Sequence, residues 1–277
     1  MSEPNPMMPG EPLEDSSSGA DITDIPTEWP EIRKAHNGGP DARAAQERIM
    51  NRYGPAIWRY LNVLTRDFET TSELLQQFAK NLVEGRMKQA CPERGKFRNY
   101  LKATLINLYH DHCRKQAKTL VRFTSELPEL YKKDESRFYE SDREFLAIWR
   151  NELIKSTLEE LLQKQRKSGR PHHTVLELRL HHPDVRTREL TRLYAEETKH
   201  EIGVSAMRKL LHEARKIFAD SLLRIVEETL DHPGLHEVEE ELIELGLLSY
   251  CKEALNRRRN PQGAKRMIDG IKVTQAM

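Results

Sequence analysis

Cysteine is scarce in this chain: Cys91, Cys113 and Cys251 are the only three in 277 residues. They are too few and too scattered for a disulfide framework or a structural zinc site, which needs four ligands at short paired spacings. A reducing, cytoplasmic environment is the expectation. Long apolar runs are also missing, since no stretch approaches the roughly 18 residues of a membrane-spanning helix. The acidic, Pro-rich N-terminal residues are unlike a signal peptide, so neither export nor a membrane partner is expected. Long runs of Val, Ile and Thr that would argue for strands are absent. No His-Glu-x-x-His pair, phosphate-cradling glycine loop or nucleophile elbow occurs. The chain is therefore read as a non-enzyme without a metal or other cofactor.

What is present points to helix. Charged residues make up 32% and hydrophobic residues 37%, and segments rich in Ala, Leu, Glu, Lys and Arg dominate. The length suits two compact domains with connections. The formal net charge of +1 hides an asymmetry. Residues 1–26 hold six acids and no Lys or Arg, so 38 of the 44 acids face all 45 basic residues in the body, a balance near +7. Such modest basicity is compatible with nucleic acid without identifying it.

Residues 1–26, with five prolines and a Ser16-Ser17-Ser18-Gly19 run, have little to bury and are expected to be a disordered acidic tail. Residues 27–118 form a first module of about four helices, broken at His36 to Pro40, at Asp67 to Thr71 and at Gly85 to Gly95. A charged stretch at 119–143 containing Pro128 suits a tether. A second module covers 144–230, with breaks at Ser168 to Pro171 and at His182-Pro183. Residues 231–277 form an appended helix or two and a basic tail. The fold class is all-α: two small helical modules, a linker and a C-terminal extension.

Two helices carry candidate chemistry. Along 97–118, Phe97, Leu101, Leu105 and Leu108 share one face. Roughly opposite lie Asn99, Tyr100, Ala103, Asn107, His110, Arg114 and Lys118. Asn can pair with adenine, Tyr and His can stack on unpaired bases, and the cations can neutralise phosphates, although any solvated helix shows a polar face. Along 204–223, Val204, Met207, Leu211, Ala214 and Phe218 make an apolar stripe, with Ser205, Lys209, His212 and Lys216 on another face. Preceded by Thr187 to Glu197 and a turn ending at Gly203, this has the layout of a helix-turn-helix, one that many helical hairpins share. The His110-Asp111-His112-Cys113, His172-His173 and His181-His182 runs read as solvated histidines, because adjacent residues on a helix point about 100° apart and cannot converge on one ion.

Several strings resemble one family, the extracytoplasmic-function type RNA polymerase sigma factors, in the long, divergent form of planctomycete-like bacteria. They are Thr27-Glu28-Trp29, Asp41-Ala42-Arg43, Arg52-Tyr53-Gly54-Pro55 running into Trp58 and Tyr60, Glu73-Leu74-Leu75-Gln76-Gln77-Phe78, and Pro92 to Leu101 (PERGKFRNYL). In the second half they are Phe145 to Trp149, Leu158 to Leu161, His181 to Asp184, Leu211 to Arg215, Phe218 to Asp220 and Glu240 to Cys251. The likeness spans about 27–255.

The resemblance implies a sigma domain two in the first module and a helix-turn-helix domain four in the second. Core RNA polymerase and promoter DNA would be the partners, and an anti-sigma or other regulatory protein a further one. Glu73, Leu74, Gln76, Gln77, Phe78 and Leu82 would bind polymerase. The loop from Gly85 to Lys96 would capture a flipped base of the opened minus-ten element. Lys96, Arg98, Asn99, Tyr100, Asn107, Arg114, Lys115 and Lys118 would lie at that DNA, and Ser205, Arg208, Lys209, His212 and Lys216 at duplex DNA. Gln77 stands where the family usually has an acid, Ala79 where it has an aromatic, and Glu213 where it has a base. Two other classes fit the same residues: a helix-turn-helix regulator that no longer binds polymerase, and a protein-interaction adaptor.

Overall fold

A computed structural model describes residues 28–37, 40–86, 95–124 and 135–260; among them are ten helices and no strand. The tail expected to be disordered, the greater part of the base-capture loop (87–94), the middle of the expected tether (125–134) and the residues after Asn260 lie outside the described residues.

The first core is built by α1 (Glu28–Asn37), α2 (Pro40–Thr65), α3 (Phe68–Val83) and α4 (Phe97–Thr124). Apolar residues four apart make each seam: Tyr53, Ile57 and Leu61 on α2, Leu74, Phe78 and Leu82 on α3, and Phe97, Leu101 and Leu105 on α4. The break between α2 and α3 is shorter than the Asp67 to Thr71 gap expected from composition. Asp67 is itself the N-cap, its carboxylate accepting from the Thr70 N–H at 2.8 Å, so that side chain satisfies an orphan donor and the helix starts at once.

Next come α5 (Glu135–Ser168), α6 (His172–His181), α7 (Thr187–Thr198) and α8 (Val204–Glu228). With α4 reaching Thr124 and α5 starting at Glu135, helix enters the expected tether from both sides. Its charged residues suit a solvated helix as well as a linker. At 34 residues, α5 is about 50 Å long and serves two cores. Phe145, Trp149 and Leu153 lie in the first core, whereas Leu161 joins Val175, Leu190, Met207, Leu211 and Ala214 in a second. α8 does the same, its N-terminal half in the second core and Ala219, Leu222, Leu223, Ile225 and Val226 in the first.

Between the two cores a polar knot ties α5 to α8. Buried Glu160 accepts from Ser221 Oγ at 3.0 Å and pairs with Lys164 at 2.6 Å and with Arg224. Burial pushes the Glu160 carboxyl up, but those partners outweigh it and hold it below the usual carboxylate range. In the first core Tyr53 stacks on Trp149 (centroids 5.4 Å, planes 4° apart) and tilts against Phe97 at 5.4 Å, while Tyr60 meets Phe145 edge-on at 4.9 Å. Residues from three distant strings thus form one aromatic cluster.

The C-terminal extension is two helices, α9 (Leu235–Glu244) and α10 (Leu248–Arg259). Its Val238, Leu242, Leu245, Leu247, Cys251, Ala254 and Leu255 are all buried in the first core. Each large apolar side chain buried this way is worth about 1.5–3 kcal/mol, which makes the extension part of that core's stability. Gly246, at φ +68°, turns the chain between them, and Leu247 N–H donates to the Leu242 carbonyl at 2.7 Å.

Candidate nucleic-acid interface

α7 and α8 meet through Leu190 and Tyr194 on one side and Met207, Leu211 and Ala214 on the other. Lys199 adopts a left-handed φ of 61° at the end of α7, its N–H donating to the Ala195 carbonyl at 3.0 Å, and the turn leads to Gly203 and α8. Ahead of α7, the Arg179 guanidinium donates to the carbonyls of His182, Pro183 and Val185 at 3.2, 3.2 and 2.7 Å, fixing the loop from α6. The result is a helix-turn-helix layout whose second helix stands on a packed base.

On the outer side of α8, Ser205, Arg208, Lys209, His212, Arg215 and Lys216 are all exposed. They span about 120° of the helix at 100° per residue. None of the five basic ones makes an ion pair with a described residue. Arg215, within the same arc, was not among the residues picked from the sequence, though a finer helical projection would have found it. Glu213 does not dilute this face. It turns back to α6, within 3.4 Å of buried His172 Nε2 and 3.9 Å of Arg170. His172 is therefore a packed side chain and not a solvated one, because it lies on the inner face of α6 with Val175 and Leu176.

The start of α4 looks different. Arg98 is 3% exposed and is held by α9: its Nε and Nη2 donate to Glu241 at 2.7 and 3.1 Å, and it pairs with Glu244 as well. Lys96 binds the same two carboxylates at 2.6 and 2.7 Å. Burial lowers the pKa of Arg98, but the hydrogen bonds it donates to the glutamates outweigh that and raise it, and Lys96 responds in the same way. The Arg98 hydrogen bond, against some burial, pushes Glu244 down to about 2. In this arrangement Lys96 and Arg98 are paired with acids and do not present a free charge to phosphate. Removing one partner of a buried pair of this kind costs about 3–5 kcal/mol, because the other charge is stranded.

Along the rest of α4, Phe97, Leu101 and Leu105 are buried, Leu108 and His110 are half-buried, and Asn99, Ala103, Asn107, Arg114 and Lys118 are exposed. Arg114 pairs with Asp111 at 2.8 Å and Asn99 accepts from Arg98 at 3.1 Å. Lys115 is exposed, while Tyr100 is half-buried against the core, which pushes its hydroxyl pKa up.

On α3 the expected polymerase residues divide. Leu74, Phe78 and Leu82 are at most 2% exposed; as the i, i+4, i+8 seam of the core they cannot touch a partner while α3 is packed. Glu73 and Gln76 face solvent, and Gln77 is half-buried, bonded to Asn81 at 2.9 Å. A second stripe was missed: Phe68, Ser72, Leu75, Ala79 and Val83 follow helical spacing, with Phe68 68% and Val83 64% exposed. Phe68 also meets the Trp58 ring edge-on at 6.0 Å. Phe68 and Val83 thus leave apolar surface open at the two ends of α3.

A cleft of about 480 Å³ lies among α1, α2, α5 and α8. Its Arg48 is bound to Glu31 at 2.6 Å and its Arg224 to Glu160 and Glu228, so these charges are matched within the chain. Among the described residues no three His, Cys, Asp or Glu side chains group as a metal site, and no helix is long and apolar enough to cross a membrane. Comparison with protein-family models, with curated proteins and with solved structures finds no match, so the reading of these surfaces rests on the chain's own residues.

Proposed function

We propose that this chain is a sigma-like initiation factor, which brings core RNA polymerase to promoter DNA in the cytoplasm and performs no chemistry itself. The observation that carries the reading is the α7–turn–α8 unit, with five unpaired basic side chains on the solvent face of its second helix. That unit would lay α8 in a major groove, with Arg208, Lys209, Arg215 and Lys216 on phosphates and base edges. In this reading the four-helix first segment corresponds to the family's domain two and the α5–α8 segment to its domain four. Polymerase would dock on α3 through Glu73, Gln76 and the Phe68–Val83 stripe, with the buried Leu74, Phe78 and Leu82 holding the helix in place.

The test is co-migration of the purified chain with bacterial core polymerase on size exclusion at low and moderate salt. Complex formation that Phe68→Ala/Val83→Ala removes supports the proposal. Absence of a complex with folded protein and polymerase from the same source refutes it. A second reading, a helix-turn-helix regulator that binds duplex without polymerase, is favoured by the burial of three of the six residues taken for polymerase contacts. It predicts duplex binding with no co-migration.

A further inference from the structure

The two candidate DNA surfaces differ in one respect that the proposed function leaves unexplained. The cationic face of α8 is open, whereas the cations at the start of α4 are covered by an acidic pair from the C-terminal extension, 143 residues further along the chain. We propose that α9 is a built-in competitor for nucleic acid: Glu241 and Glu244 occupy Lys96 and Arg98 as strand phosphates would, and this contact must open before the melted strand can be gripped there. The inference rests on the DNA-binding reading above.

Geometry and charge support it. Arg98 presents the side of its guanidinium to both oxygens of Glu241, the fork arrangement that serves carboxylate and phosphate alike. Two acids meet two bases, so the cluster is neutral within itself and has no attraction left for a polyanion. Glu241 is 1% exposed and anchored by its neighbours Val238 and Leu242 in the core, while Glu244, at the end of α9, is 44% exposed. The outer acid is therefore the point at which a competing anion could enter. Tyr100, half-buried one turn away on α4, is a ring onto which a base could stack once a strand is held. Duplex capture by α8 needs no such opening. A chain built this way engages paired DNA first and admits single strand only when something displaces α9.

A merely structural role, in which the ion pairs staple the extension to α4, predicts a different result on one measurement. Fluorescence anisotropy would follow binding of a labelled single-stranded oligonucleotide and of a labelled duplex to the full chain, to Glu244→Gln, to Glu241→Gln/Glu244→Gln and to Glu240→Gln. Glu240 is an exposed acid on the same helix, paired with His236 and touching neither cation, so it reports the bare change in net charge. The expected result is single-strand affinity about tenfold tighter for both Glu244 variants, the size of one charge-assisted hydrogen bond gained. Glu240→Gln should match the parent chain, and duplex affinity should stay level throughout. Glu244→Gln with a native circular dichroism spectrum and parental single-strand affinity would overturn the proposal, as would an equal gain in Glu240→Gln. Because Glu244 is half-exposed, that single variant decides the matter even if the double variant fails to fold. Duplex binding that Lys209→Ala/Lys216→Ala weakens, alongside an unresponsive Glu244→Gln, would refute the competitor and leave the DNA reading standing. A chain that binds neither DNA would refute both.

Discussion

The unpaired face of α8 makes the salt dependence of duplex binding calculable. Each phosphate neutralised by a Lys or Arg releases counterions and adds about −0.9 to the slope of log affinity against log salt. With Arg208, Lys209, Arg215 and Lys216 all exposed and unpaired, and each placed on a phosphate, the slope is about −3.6. Raising salt from about 50 to 200 mM should then weaken binding roughly 150-fold. Lys209→Ala/Lys216→Ala removes two of the four, which brings the slope to about −1.8 and the loss over the same range to roughly 12-fold. Neither lysine touches the core, so thermal stability should be unchanged. Anisotropy titrations of a labelled duplex at four or five salt concentrations would measure both slopes. A parent slope near zero, or a double variant with the parent's slope, would refute the assignment of this face to DNA.

Three other outcomes follow from the packing. Phe78→Ala should destabilise the fold by about 3–5 kcal/mol through cavity formation, whereas Phe68→Ala should stay within about 0.5 kcal/mol of the parent; urea melts that rank them the other way would contradict the burial of α3. Glu244, held down to about 2 in the folded chain, contributes stability that is full above its ordinary value of 4.5 and lost as pH falls from there through about 2. The shift corresponds to roughly 3 kcal/mol by linkage, and screening at a half-exposed side chain reduces that to about 1 kcal/mol. Acid melts of the parent and Glu244→Gln should therefore differ fully above pH 4.5 and draw together as pH falls from there to about 2. Cys251, fully buried with its thiol pushed up to about 12 by burial, should resist a thiol reagent at neutral pH in the native chain and react later than half-buried Cys113; fast labelling of Cys251 without unfolding would argue against a packed extension.

Much of the local structure was legible in order of residues. Apolar residues three and four apart marked the inner faces of α4 and α8, and Gly169, at φ +68° between α5 and α6, marked a stop. Periodicity identifies an apolar face because the helix repeat is a local property of the backbone. It does not identify what covers that face. Leu74, Phe78 and Leu82 carried the polymerase resemblance, yet they are the seam of α3, and the outer stripe from Phe68 to Val83 went unnoticed beside them.

Composition and spacing alone determined that the described residues are helical, where several of the helices break, and that α8 carries a polar, basic face beside its apolar stripe. Only tertiary structure decided that α5 and α8 each serve two cores, that α9 and α10 complete the first of them, and that Glu241 and Glu244 neutralise Lys96 and Arg98. The reason is that helix formation and turn chemistry are governed by neighbours within a few residues, whereas burial and ion pairing depend on which surfaces meet. A charge buried at Arg98 tolerates desolvation only because carboxylates 143 and 146 positions away arrive beside it, and no local pattern specifies that meeting.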